Sequence, residues 1–214
     1  MLVKICGITR PEDAHAAVRA GADAIGFVFV RSSPRYLAAD HAAEIIATLP
    51  EHVLPVGVFV NSSPGEIAGI VERSGIRCVQ LHGDEPPGFV HELPVRVWKA
   101  FRISGEHSLP SMASWQVDAF LLDSWDLAGR GGTGKVFDWR IAVRVAGEGR
   151  VILAGGLRPE NVAEAVSIVQ PYGVDVSSGV ETSPGKKDAV KIQEFVAAAR
   201  APSRGLAGNL ERRK

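Results

Sequence analysis

Ala24-Ile25-Gly26-Phe27-Val28-Phe29 is apolar at almost every position. A strand covered on both faces reads this way, because a strand with one wet face would alternate. Ahead of it, Ala14, Ala17 and Val18 form one helical stripe, Thr9 and Glu12 have the spacing of a capping box, and Gly21 stands where the helix would end. Earlier still, Leu2 to Cys6 is another apolar strand, ending on a thiol just before Gly7 lets the backbone turn. Strand, helix and strand in this order predict a parallel pair joined by a right-handed crossover.

The unit recurs. Ala42, Ile45, Ile46 and Leu49 space a helix before Pro50, and Val56 to Val60 is the third strand. Ser63-Pro64-Gly65-Glu66 opens a helix as a capping box with Pro at its first position, and Ile67, Ile70 and Val71 are its buried stripe. Cys78 to Leu81 is the fourth strand, followed by His82-Gly83-Asp84-Glu85 and a short helix after Pro86 and Pro87. Val95 to Ala100 is the fifth, with only a weak helical pattern up to Ser114. Ala119 to Asp123, Val151 to Ala154 and Tyr172 to Val176 complete the strands. Helices are expected near Trp139 to Val145, through Ala163, Val166 and Val169, and through Ile192, Phe195 and Val196.

Eight such units fit an open doubly wound sheet or a closed barrel. Short apolar strands with no edge strand bearing protective charge or Pro, and a length of 214 residues, favour an α/β protein of the (β/α)8 TIM-barrel class. A single domain is expected over residues 1–200. The tail from Ala201 carries no packing pattern and is expected to fray.

Lys and Arg together number 24 and so do Asp and Glu, which leaves no single-sign field to hold nucleic acid or an anionic membrane. An anionic ligand must therefore be held by local groups. The opening Met1-Leu2-Val3-Lys4 lacks a charged and then apolar leader, and no apolar run approaches the ~20 residues of a membrane span. A soluble, cytoplasmic protein is expected. Cys6 and Cys78 both lie in apolar runs, so two free thiols are expected rather than a disulfide, and no Cys/His spacing resembles a zinc site.

In an eight-stranded barrel of this kind the chemistry lies at the C-terminal ends of the strands. Polar groups that end apolar strands are therefore the candidates. Gly155-Gly156 after strand seven and Ser177-Ser178-Gly179 after strand eight bring backbone N–H groups and hydroxyls together beside helix starts, as a phosphate cradle does. Either loop alone reads equally well as a tight turn. Two in adjacent units favour phosphate.

Cys6 would be a packing residue by default. Its place at a strand end turns it toward the mouth, where general base is the better role in the absence of a triad motif; His82 is the one histidine on the same rim. Asp123, ending Leu121-Leu122, is a carboxyl group beside an apolar strand, where desolvation favours its protonated form and a general-acid role. A helix cap or a salt bridge is its bland alternative. Arg35, presented after Pro34, suits bidentate capture of a carboxylate, although most loop arginines are merely solvated. Gly129-Arg130-Gly131-Gly132-Thr133-Gly134-Lys135 matches dinucleotide and P-loop patterns by letter, but no strand ends at its start and Val136 replaces the required hydroxyl. A loop that closes over a ligand is its functional reading and a disordered connector the alternative.

Taken together, Lys4 to Thr9, Gly26-Phe27-Val28-Phe29 with Ser33-Pro34-Arg35-Tyr36, Val79-Gln80-Leu81-His82-Gly83, Leu121-Leu122-Asp123, Gly131 to Trp139, Leu153 to Leu157 and Val174 to Glu181 resemble the phosphoribosylanthranilate isomerases, in order from Lys4 to about Phe195. The resemblance implies an Amadori rearrangement in tryptophan biosynthesis, with Asp123 as general acid on the furanose ring oxygen and Cys6 as general base at C2. It implies that Arg35 holds the anthranilate carboxylate. Gly155, Gly156, Ser177, Ser178 and Gly179 would hold the phosphate, with His82 and Asp175 also binding substrate. No metal or organic cofactor is implied, since the protonated imine is itself the electron sink. A phosphorylated small molecule is the expected partner, for a monomer or a homodimer. Two alternatives compete: the related isomerase of histidine biosynthesis, which uses two aspartates where this chain has a thiol at Cys6, and a non-catalytic phosphosugar-binding barrel.

Overall fold

A computed structural model of the chain describes residues 1–103, 112–124, 139–147 and 149–201. The strands are β1 (Leu2–Cys6), β2 (Ala24–Val28), β3 (Leu54–Phe59), β4 (Cys78–Leu81), β5 (Arg96–Ile103), β6 (Ala119–Ser124), β7 (Val151–Leu153) and β8 (Gly173–Val176). All are parallel and paired in chain order, and β8 closes on β1 with Lys4 opposite Asp175 and Ile5 opposite Val176. The closed eight-stranded barrel expected from the sequence is the fold.

Among the described residues six α-helices pack outside it: α1 (Pro11–Ala20), α2 (Ala39–Ile46), α3 (Pro64–Ser74), α4 (Trp139–Ala146), α5 (Pro159–Val169) and α6 (Ala189–Arg200). A six-residue 3-10 helix, Pro87–Glu92, replaces an α-helix after β4, and a single 3-10 turn, Met112–Ser114, lies ahead of β6. The Gly129–Lys135 stretch, most of the weakly helical segment after β5, and the tail beyond Ala201 lie outside the described residues. No helix among the described residues is long and apolar enough to cross a membrane.

Because a strand has period two, each barrel strand sends one set of side chains outward to the helices and the other into the barrel. The outward set, with Val3, Ile5, Phe27, Phe59, Val79, Leu122 and Val174, packs against the helix stripes in one continuous core that also takes in Ile67, Ile192 and Phe195. Burying each large side chain there contributes about 1.5–3 kcal/mol. The inward set is apolar at its base, where Ala24, Val56, Cys78, Trp98, Ala119 and Ile152 meet. It turns polar higher up, at Lys4, Gln80 and Asp175. Both cysteines are buried and free.

Two local features differ from the sequence reading or go beyond it. The Ser63–Glu66 capping box forms at the start of α3, but the Thr9–Glu12 box does not. Pro11 takes the first turn of α1, which moves the cap to Arg10, and the Thr9 hydroxyl instead donates to the Gly185 carbonyl at 2.5 Å. That carbonyl belongs to a hairpin not foreseen from the sequence, β9 (Glu181–Ser183) with β10 (Lys186–Lys187), which sits beyond β8.

Candidate active site

The C-terminal ends of the strands enclose a cavity of about 850 Å³. Its lining includes Arg35, His82, Asp123, Gly155, Gly156, Asp175, Ser177 and Ser178, so eight of the ten residues singled out in the sequence surround one space. Cys6 and Gly179 stand just behind its walls. Cys6 is 7% exposed and packs with Val28 and Val58, both of which line the cavity.

Gly179 joins the two glycine loops. A Cβ there would lie 2.0 Å from the Leu157 carbonyl oxygen, so the loop after β8 rests directly on the backbone of the loop after β7. Gly155 and Gly156 take φ of 78° and 69°, a region that favours glycine. Asn161 of α5 pins the turn by donating from Nδ2 to the Gly156 carbonyl at 3.0 Å. The paired loops form one rim, beside the start of α5.

Across the mouth, Arg35 is already paired. Its Nε donates to Glu181 Oε1 at 2.8 Å and its terminal nitrogen to Oε2 at 2.6 Å, a two-pronged bond to the new hairpin. Lys187, wholly buried, donates to the same Glu181 Oε1 at 2.8 Å and to the Ser177 carbonyl at 3.1 Å. Burial alone would push the Glu181 carboxyl up, but the bond from Arg35 and the charge of Lys187 hold it below the usual carboxylate range. Burial pushes Lys187 down and Glu181 only partly restores it, because Arg35 repels it and draws on the same carboxylate. The hydrogen bond to Glu181 holds Arg35 above its usual range.

Under the mouth, Lys4 and Cys6 turn over the same spot. A Cβ on Gly26 would meet Cys6 Sγ at 2.8 Å and Lys4 Cε at 3.0 Å, so a glycine here leaves room for both. Burial pushes the Cys6 thiol above its ordinary value, while Lys4 and Lys187 pull it back. Burial would likewise lower Lys4, but Asp175 and Cys6 more than offset that and hold its ammonium charged. Lys4 Nζ donates to Asp175 Oδ1 and to Gln80 Oε1, both at 3.0 Å. Gln80 Nε2 lies 3.0 Å from His82 Nδ1, and His82 Nε2 lies 3.2 Å from Asp123 Oδ2. Lys4, Lys187 and Arg35 thus bring three cations against the carboxylates of Glu181 and Asp175.

A family model described as N-(5'phosphoribosyl)anthranilate (PRA) isomerase matches residues 3–198. The chain belongs to the phosphoribosylanthranilate isomerase family. A family member from Geobacter sp. (strain M21) is 52% identical over 198 residues, which cover 92% of this chain and 97% of the relative. The phosphoribosyl anthranilate isomerase of Thermotoga maritima has a crystal structure that superposes with a TM-score of 0.89 at 41% identity, covering 94% of this chain and all of that one. Another isomerase structure, in complex with reduced 1-(o-carboxyphenylamino)-1-deoxyribulose 5-phosphate, superposes with a TM-score of 0.85 at 40% identity, covering 94% and 100%.

Sequence reasoning missed Lys4, Gln80, Glu181 and Lys187. Two of the misses, Lys4 and Gln80, had a signal. Lys4 precedes Cys6 by two residues, as Gln80 precedes His82 and Asp175 precedes Ser177, so each points inward with its functional neighbour. Lys187 and Glu181 had none, because a short polar hairpin has no periodicity to read.

Proposed function

We propose that this cavity performs the Amadori rearrangement of N-(5-phosphoribosyl)anthranilate to 1-(2-carboxyphenylamino)-1-deoxyribulose 5-phosphate by general acid–base catalysis, with Asp123 as the acid and Cys6 as the base. The chain is an isomerase of tryptophan biosynthesis, as its family membership states. The observation that carries the assignment of roles is the grouping of an acid, a buried thiol, an arginine and a two-loop backbone rim around one space.

Asp123 would give its proton to the furanose ring oxygen as the bond from that oxygen to C1 breaks, and the nitrogen lone pair would form the protonated imine. Cys6, as thiolate, would then take the proton from C2, and the C–H electrons would neutralise the imine as an enolamine. Moving one proton from the C2 hydroxyl to C1 completes the ketone. The imine is a new cation beside Cys6 and adds to the pull of Lys4 and Lys187, so the thiol releases its proton to water and is a thiolate when it is needed; after the C2 proton is taken, water carries a proton from Cys6 back to Asp123. No cofactor enters, since the imine accepts the electron pair.

Gly155, Gly156, Ser177, Ser178 and Gly179 would hold the phosphate. Arg35 would take the anthranilate carboxylate in exchange for Glu181, which keeps Lys187 as its counterion. His82 and Asp175 would support the substrate from the same rim. We place the protein in the cytoplasm as a monomer or a homodimer, with a phosphorylated small molecule as its partner and neither nucleic acid nor membrane.

Loss of the substrate's anthranilate fluorescence measures turnover. Cys6→Ala and Asp123→Ala are each expected to lower kcat by about 10²–10⁴-fold, while a phosphate-bearing ligand still binds with nearly unchanged affinity. Undiminished turnover in either variant removes the role given to that residue.

A further inference from the structure

The buried polar layer beneath the cavity links the two residues proposed to do the chemistry. Lys4 is fully buried and Gln80 is 1% exposed. Both stand directly above an inward base that is wholly apolar. Their hydrogen bonds have one consistent direction. An ammonium has only donors, so the oxygen of the Gln80 amide must face Lys4, as the 3.0 Å contact to Oε1 places it. The amide nitrogen then faces His82 and donates to Nδ1 at 3.0 Å. A nitrogen that accepts carries no proton, so the His82 proton sits on Nε2 and points at Asp123 Oδ2, 3.2 Å away.

We propose that Lys4 and Gln80 are positioning residues for the acid: Lys4 fixes the Gln80 amide, Gln80 fixes His82 as the Nε2–H tautomer, and that N–H occupies Oδ2 of Asp123 so that the transferable proton rides on Oδ1. This rests on the acid role of Asp123 given above. The same N–H then stabilises the carboxylate left after the proton has gone to the ring oxygen. Lys4 has a second task in the same place, because its stem and the Cys6 thiol share the space over Gly26. One ammonium therefore underlies both the acid and the base.

Three measurements test this. Nitrogen-15 chemical shifts of the His82 ring in the wild-type protein are expected to show a protonated Nε2 and a bare Nδ1; a protonated Nδ1 overturns the proposal whatever the activity. Gln80→Leu is expected to lower kcat by about tenfold to a hundredfold, the usual cost of removing the outer partner of a functional histidine, with KM changed little. In an Asp123→Ala background the same substitution is expected to cost almost nothing more, since both act through one group. Losses that multiply in the double variant mean that Gln80 acts structurally and overturn the assignment. His82→Gln, which can aim an amide N–H at the same oxygen, is expected to keep more activity than His82→Leu; equal losses count against the donor role. Full activity in Asp123→Ala would instead strike the acid assignment itself, and the ring shifts would still report on the tautomer.

Discussion

Cys6 has two lysines working against the burial that raises its thiol. The sign follows directly: the thiolate fraction grows with pH and reaches half only above the ordinary thiol value of about 8.5. The ultraviolet absorbance of the thiolate, taken as wild type minus Cys6→Ala, is expected to titrate above that value. Lys187→Met removes a charge that lowers the thiol and is expected to move the titration higher still. A midpoint at or below the ordinary value, or a downward move in Lys187→Met, contradicts this electrostatic account. At this scale the sequence named Cys6, Asp123 and Arg35 as chemically placed, because each stands where a strand or loop meets the mouth. What it did not convey was their partners. That Arg35 spends its fork on Glu181, and that Asp175 spends an oxygen on Lys4, depends on residues 146 and 171 positions away in the chain. Such contacts exist only once the barrel has closed.

Elements were legible in proportion to the periodicity they carry. The strands carry unbroken apolar runs and the helices α1 to α6 a repeat of 3.6, and both survive without tertiary context. The hairpin β9–β10 has five strand residues, all but Glu181 and Lys187 exposed, and is held by side chains from elsewhere: Thr9 donates to the Gly185 carbonyl, Asp13 accepts from the Lys187 amide, and Arg35 donates to Glu181. No local pattern announces it. The capping box at Thr9 failed for a related reason, since the hydroxyl found a distant carbonyl after Pro11 had displaced the cap. Contact between the loops after β7 and β8 gives a test at this scale. Gly179→Ala sets a methyl against the Leu157 backbone, which cannot rotate away as a flexible side chain could. The loops must part, at a cost of about 1–3 kcal/mol and a few degrees in Tm. Weaker binding of phosphate-bearing ligand, seen as a higher KM with a smaller change in kcat, is expected; an unchanged KM would show that the two loops need not touch to hold phosphate.

At the scale of the molecule, equal numbers of acidic and basic residues put the formal net charge at zero near pH 7. Mutual repulsion between copies is then weakest, so solubility in a precipitant titration is expected to pass through a minimum near neutrality and rise on either side; a monotonic trend across that range contradicts it. The Lys4–Asp175 pair carries a consequence for how the protein is made. It lies across the seam where β1 meets β8, and its members are separated by 171 positions. Lys4 leaves the ribosome 171 residues ahead of Asp175. Until Asp175 follows, the ammonium has no carboxylate to meet in the barrel interior, and desolvating it alone costs several kcal/mol. A nascent chain that stops short of β8 therefore meets a penalty against closing, and the seam reserves the finished barrel for chains long enough to complete it.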